Sequence, residues 1–364
     1  MIRIAAVGDI MPGGLLHGRP EPSVSEQVLQ FLEDADLRVG TLECAIGDGS
    51  TLLPEKMQRY GDIIYAPESD LCRLKELRMD VVSLANNHFF DLQAAQALHT
   101  IERLDALGIR HCGAGRNLAE AAQPAVVQIG GKSIAFLAFC DRHRYMGYVP
   151  FATPDTPGVN PMEEAWTLAQ IRQAKAQYDY VVAMPHWGRE HTYETSDWCW
   201  QMARRMVEAG CCLVLGSHPH RVQPVVDVRG RVVVYSMGNF LFPDRLMAPP
   251  LRVTCYPKES VDLSKLPVTD RFPAVSELTY KKWPSLARYG LVVKAELNDG
   301  KRVHADYRLT WMDERNFVDF AAMEKSMSRA LAWQHFLLKH MPYRYVQALR
   351  IRLKRCFRKN RKTT

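Results

Sequence analysis

The sequence predicts an α/β fold, on three observations. Short apolar segments of strand character alternate with segments of helical spacing along most of the chain. Polar and ionisable residues gather where the strand segments stop. Hydrophobic residues make up 47% and charged residues 24%, which excludes a disordered chain, and 364 residues suffice for a large core without disulfide staples.

The elements follow in order. Ile2–Val7 reads as a strand stopped by Gly8-Asp9, and Ser25–Asp34 as a helix through Val28, Leu29, Phe31 and Leu32. Leu37–Leu42 is a second strand, stopping at Glu43. Ser69–Arg78 places Leu71, Leu74 and Leu77 on one helical face, and Val81–Ala85 is a third strand, stopping at Asn86-Asn87-His88. Leu92–Leu107 is an amphipathic helix closed by Gly108. Ala125–Ile129 and Ser133–Phe139 flank Gly130-Gly131, a hairpin turn.

Met162–Gln177 is a helix, Tyr180–Met184 a strand ending at Pro185-His186, and Trp198–Ala209 a helix. Cys212–Leu215 is a strand ending at Gly216-Ser217-His218-Pro219-His220. A second hairpin joins Val222–Val228 and Val232–Ser236. Between Pro243 and Pro284 seven prolines and weak periodicity predict an irregular insertion or lid, over about 243–288. Strand character returns at Leu291–Leu297 and Val303–Leu309, and the chain from about Phe317 onward reads as helix.

No apolar run reaches the roughly 18 residues that a membrane span needs. The N-terminus lacks a secretory pattern, and nine irregularly spaced cysteines suit reduced thiols, so the expected location is cytoplasmic. The net charge of +7 is uneven. Nine basic and no acidic residues lie between Arg344 and Lys362, leaving about −2 for the rest. Nucleic acid is therefore not the expected partner of the body. In the tail, Val346, Leu349, Leu353 and Phe357 recur at helical spacing among those charges. That pattern predicts a basic amphipathic helix over 344–362, either touching an anionic membrane at its inner face or docking on the body. The oligomeric state is not indicated.

Asp9, Glu43, Asn87, His88, His186, His218 and His220 all fall at predicted strand ends. Strand C-termini form the ligand crevice of α/β sheets, and imidazole with carboxylate and amide oxygen suits Zn²⁺, Mn²⁺ or Fe. Each element alone also has an ordinary structural use. Gly8-Asp9 serves as a turn, Asn86-Asn87-His88 as a helix cap, and His186-Trp187-Gly188 as strand-end packing. His218-Pro219-His220 is the most specific piece, because two histidines at i and i+2 of extended chain face the same way. Asp91 either orients His88 or caps the following helix. Glu190 orients His186, binds substrate or is a loop acid. Arg189 and Arg221 bind an anionic substrate or are surface residues.

The ordered set Gly8-Asp9, Glu43, Asn86-Asn87-His88, His186-Trp187-Gly188-Arg189-Glu190, Gly216-Ser217-His218-Pro219-His220 and Ser236-Met237-Gly238-Asn239-Phe240 resembles the capsule-synthesis CapA family, of the calcineurin-like metallophosphoesterase superfamily. The resemblance runs over about residues 1–312, with 313–364 left as C-terminal helices and basic tail. It implies a four-layer α/β/β/α sandwich holding one or two divalent ions, Mn, Fe or Zn. One ion site would use Glu43, Asn87, His186 and His218, the other Asp9, Glu43 and His220. His88 would be general acid or anion binder, with Asp91 orienting it. Met11 stands where general metallophosphoesterases carry a further histidine, so the Asp9 site should hold its ion less firmly.

The resemblance further implies a metal-dependent hydrolase or transferase acting on an anionic polymer or phosphoester, in poly-γ-glutamate-type capsule assembly or release. Two alternatives remain: a non-catalytic assembly factor at the membrane, and a general phosphodiesterase or nucleotidase.

Overall fold

Side chains along the strand Lys132–Asp141 join two cores in turn, and this alternation sets the layering. Ile134, Phe136, Ala138 and Cys140 join the large core between two sheets. Ala135, Leu137 and Phe139 face the other way, against Leu168, Ile171 and Ala174 of helix Glu164–Gln177 and Met202, Ala203 and Met206 of helix Asp197–Ala209. A computed structural model gives this arrangement. It describes residues 1–59, 61–143, 146–249, 252–270, 274–298 and 302–321. The basic segment 344–362 lies outside the described residues.

In the first sheet the strands run in the order Val318–Phe320, His304–Met312, Tyr289–Leu297, Ile2–Ile10, Leu37–Leu42, Val81–Ser83 and Arg110–Cys112. The last four are mutually parallel, and Asn239–Leu241 also pairs with Ile2–Ile10. Their crossovers step in one direction, so the helices Glu26–Glu33, Cys72–Glu76 and Gln93–Ala106 cover one face. The second sheet runs Pro161–Met162, Lys132–Asp141, Tyr180–His186, Leu213–Leu215, Arg231–Val234 and Val225–Val228, parallel except for the last pair. Helix, sheet, sheet and helix give the expected α/β/β/α sandwich. Both hairpins form, the first around Gly130 and Gly131, whose φ values of +57° and +73° suit a two-residue turn between antiparallel strands.

Two segments depart from the sequence reading. The stretch expected to be irregular carries Arg245–Ala248, Arg252–Cys255, Val268–Thr269 and Thr279–Lys281, which build a five-stranded sheet with Asp62–Ile63. These strands are two to four residues long, too short for a period to show. Just after Phe317 the chain forms the strand Val318–Phe320 at the edge of the first sheet where helix was expected, and the rest of that expected helix, 322–364, lies outside the described residues. Tertiary pairing overrides local pattern in both places.

Asp9 is aimed by an irregularity in its strand. The register with Leu37–Leu42 shifts between Ala6 and Asp9, and Asp9 N donates to Gly238 O at 2.9 Å. A Cβ on Gly8 would lie 1.8 Å from that same Gly238 oxygen. Gly8→Ala should therefore force the two strands apart and cost about 1–3 kcal/mol. A denaturant midpoint equal to that of the parent protein would contradict this packing.

Candidate metal centre

Five strand ends supply the centre. Asp9 closes Ile2–Ile10, Glu43 follows Leu37–Leu42, and Asn87 and His88 follow Val81–Ser83. His186 ends Tyr180–His186, and His218 and His220 follow Leu213–Leu215. Parallel strands put these ends on one rim. All seven side chains are buried.

The residues fall into two groups that share Glu43. Ligand atoms of Glu43, His186 and His218 lie within 4.8 Å of one another, and those of Asp9, Glu43 and His220 do the same. Asn87 Oδ1 adjoins the first group, 2.9 Å from His186 Nε2. Polar neighbours orient the rings: His186 Nδ1 meets Ser217 Oγ at 2.8 Å, and His220 Nδ1 meets Asn239 Oδ1 at 2.8 Å. Asn239 thus supports the site through its amide.

His218 and His220 reach their groups by a route the sequence reading did not foresee. They do not lie in extended chain. Their φ values are +93° and +48°, in the left-handed region, on either side of Pro219. The bend sends the two rings to different groups, with centroids 6.2 Å apart.

The donor set fits a divalent cation. Asp9 Oδ1, both Glu43 oxygens and His218 Nε2 are buried with no hydrogen-bond partner among the described residues. Each such atom costs about 1–3 kcal/mol, and more if charged. Burial, reinforced by the Glu43 charge, raises the Asp9 pKa well above the carboxylate range. Burial, reinforced by Glu190, does the same to Glu43. Burial lowers His186 to about 3 and holds His218 and His220 well below the usual imidazole range. Acids that shed protons only with help and imidazoles kept neutral are the groups a dication binds. The first group has four donors, whereas the second has three, and Met11, buried two residues after Asp9, offers only a thioether.

Beside the groups stands a second cluster. His88 Nδ1 is 2.7 Å from Asp91 Oδ2 and 3.0 Å from Lys56 Nζ. Lys56 Nζ also donates to Asp91 Oδ1 at 2.5 Å and to Asn87 O at 2.8 Å. Asp91 accepts from Ile64 N at 2.7 Å and makes no cap to helix Gln93–Ala106, so of its two readings the contact with His88 is the one formed. Burial raises Asp91 to about 7 and, with Lys56, lowers His88 well below its usual value.

A cavity of about 490 Å³ opens on this cluster, lined by Asn87, His88, Lys56, Arg59, Glu190 and Arg252 among others. Glu190 is raised to about 7 by burial and by Asp62. Arg221 is buried, and its Nη1 donates to His220 O at 2.7 Å. Arg189 is exposed, and neither of these arginines lines the cavity. Sequence reasoning missed Lys56, Asp62, Arg245 and Arg252, which sit on a five-residue helix and on short strands. His191 also stands close, its ring centroid 5.8 Å from that of His220.

Fold and centre together define a two-sheet α/β protein with a buried histidine–carboxylate site suited to a divalent cation. A family model described as "Bacterial capsule synthesis protein PGA_cap" matches residues 3–244, and the chain belongs to that family. It is 30% identical over 242 residues to "PGA biosynthesis protein CapA" of Bacillus subtilis (strain 168), covering 65% of this chain and 62% of that one. It is 30% identical over 253 residues to "Capsule biosynthesis protein CapA" of Bacillus anthracis, covering 66% and 60%. The chain thus spans about three fifths of the length of these relatives. Among solved structures, a putative 5'-nucleotidase from Staphylococcus aureus aligns at a TM-score of 0.46 and 12% identity, over 90% of this chain and 57% of that one. Among the described residues no helix is long and apolar enough to cross a membrane.

Proposed function

We propose that the chain is a metal-dependent hydrolase or transferase of the CapA type. It acts in synthesis or modification of an anionic capsule or surface polymer such as poly-γ-glutamate. The observation that carries this reading is Glu43, which is common to both donor groups and whose two buried oxygens accept no hydrogen bond among the described residues. Glu43, Asn87, His186 and His218 would hold one ion, and Asp9, Glu43 and His220 a weaker second. A cation held there would supply Lewis-acid polarisation of a phosphoryl or acyl oxygen and a more acidic water. Asp91 and Lys56 hold His88 by Nδ1 and leave Nε2 for proton exchange with a leaving oxygen in the cavity. Glu190, on the cavity wall, contacts substrate. Arg221 acts by bracing His220, and Arg189 meets anionic substrate at the surface.

Metal analysis of the purified protein, then a screen of phosphoester and γ-glutamyl substrates, tests this reading. Turnover that chelation removes supports it. A protein without metal or turnover overturns it and favours a non-catalytic assembly factor, the reading that Met11 supports.

The segment 344–362 gives a membrane contact in this reading. Each basic residue near an anionic bilayer contributes about 1 kcal/mol, fading within a Debye length. The full chain should co-sediment with anionic vesicles at low salt and leave them at high salt. Deletion after Pro342 should abolish binding at unchanged metal content. Equal binding by both proteins would sink the anchor.

A further inference from the structure

We propose that Arg245 forms an anion-binding subsite beside the metal centre, taking an oxyanion of the substrate, a carboxylate or a phosphoryl group. The proposal rests on the metal-dependent reading above and names what its substrate must carry. Arg245 opens the strand Arg245–Ala248 of the small sheet and is 1% exposed. Among the described residues none of its three guanidinium nitrogens has a hydrogen-bond partner. The Asp62 carboxylate stands 3.8 Å from Nη2, beyond hydrogen-bond reach, and also faces Arg252 Nη1 at 3.6 Å. Asp91 is occupied by Lys56. A guanidinium carries five N–H donors in a fixed fork, and leaving all of them buried and unmet is costly. An acceptor that arrives with a ligand removes that cost.

The position suits such a ligand. Asp62 and Arg252 line the cavity that opens on His88. On the other side, the Arg245 guanidinium carbon is 5.8 Å from the ring centre of Trp283, and that ring is 5.0 Å from the His220 ring. Arg245 does not itself line the cavity: it lies behind Asp62 of the cavity wall and shares Trp283 as a neighbour with His220. Lys281 is the direct cross-strand partner of Arg245 and is also 1% exposed, with burial lowering its pKa to about 7. Cations held by the donor groups would add further positive charge. Arg matches carboxylate and phosphoryl groups with paired donors, which a lysine cannot do.

The test is calorimetric titration of the full chain, as purified with its metal, using inorganic phosphate and glutarate as probes. Arg245→Gln should weaken the probe that binds about tenfold or more, with metal content unchanged. The affected probe tells phosphoryl from carboxylate recognition. Arg245→Lys keeps the buried charge without the fork, so it should also lose affinity and serves if Arg245→Gln does not fold. Parent-like binding by the variants, or no binding of either probe by the parent, overturns the subsite. Joint loss of metal and anion also overturns it, since the effect would then run through the donor groups. Arg245-dependent binding in a parent protein that carries no metal would defeat the metal reading and leave the subsite standing.

Discussion

Alanine at His186 or at His218 should strip the protein of its divalent ion and abolish metal-dependent turnover. Both rings belong to the four-donor group with Glu43 and Asn87. Loss of a residue that merely orients a ligand typically lowers metal affinity about 10–100-fold, and loss of a ligand itself should exceed that. The parent should carry at least one Mn, Fe or Zn ion per chain by elemental analysis. His220→Ala should leave that ion in place, because His220 belongs to the other group. Full metal content in both the His186 and His218 variants would end this ligand assignment.

His88→Asn should lower turnover about 10²-fold or more at unchanged metal content. The ring lines the cavity and is fixed through Nδ1 by Asp91 and Lys56. Asparagine keeps polarity and approximate volume but has no ring nitrogen to exchange a proton. Metal loss on this substitution would turn His88 into a ligand. Unchanged turnover would remove it from the chemistry.

The centre was legible in the sequence to the extent that it is built on parallel strands. Asp9, Glu43, Asn87, His186, His218 and His220 each follow an apolar run, and parallel pairing brings such ends together. The apolar run Ser133–Phe139 marked a strand, but not that its side chains divide between two cores or which helices cover the outer face. The cavity wall was not legible. Lys56 lies on Pro54–Gln58, and Arg252 meets Asp62 across a pairing far apart in sequence. Proline-flanked strands of two to four residues carry no readable period. The His218-Pro219-His220 motif marked residues that the structure brings to the donor groups, but by a different backbone, because a local i,i+2 rule cannot anticipate a left-handed bend.

That bend has a bearing on how the protein would respond to selection for robustness. A non-glycine residue held in left-handed backbone costs on the order of 1–3 kcal/mol, and here two histidines stand so, one residue apart. A search that rewarded heat resistance alone would favour glycine or asparagine at both positions and would dismantle the centre as it succeeded. Histidine at both positions places stability and chemistry in opposition at one short loop. Screens for hardier variants should therefore leave residues 218 and 220 untouched and seek their gains elsewhere.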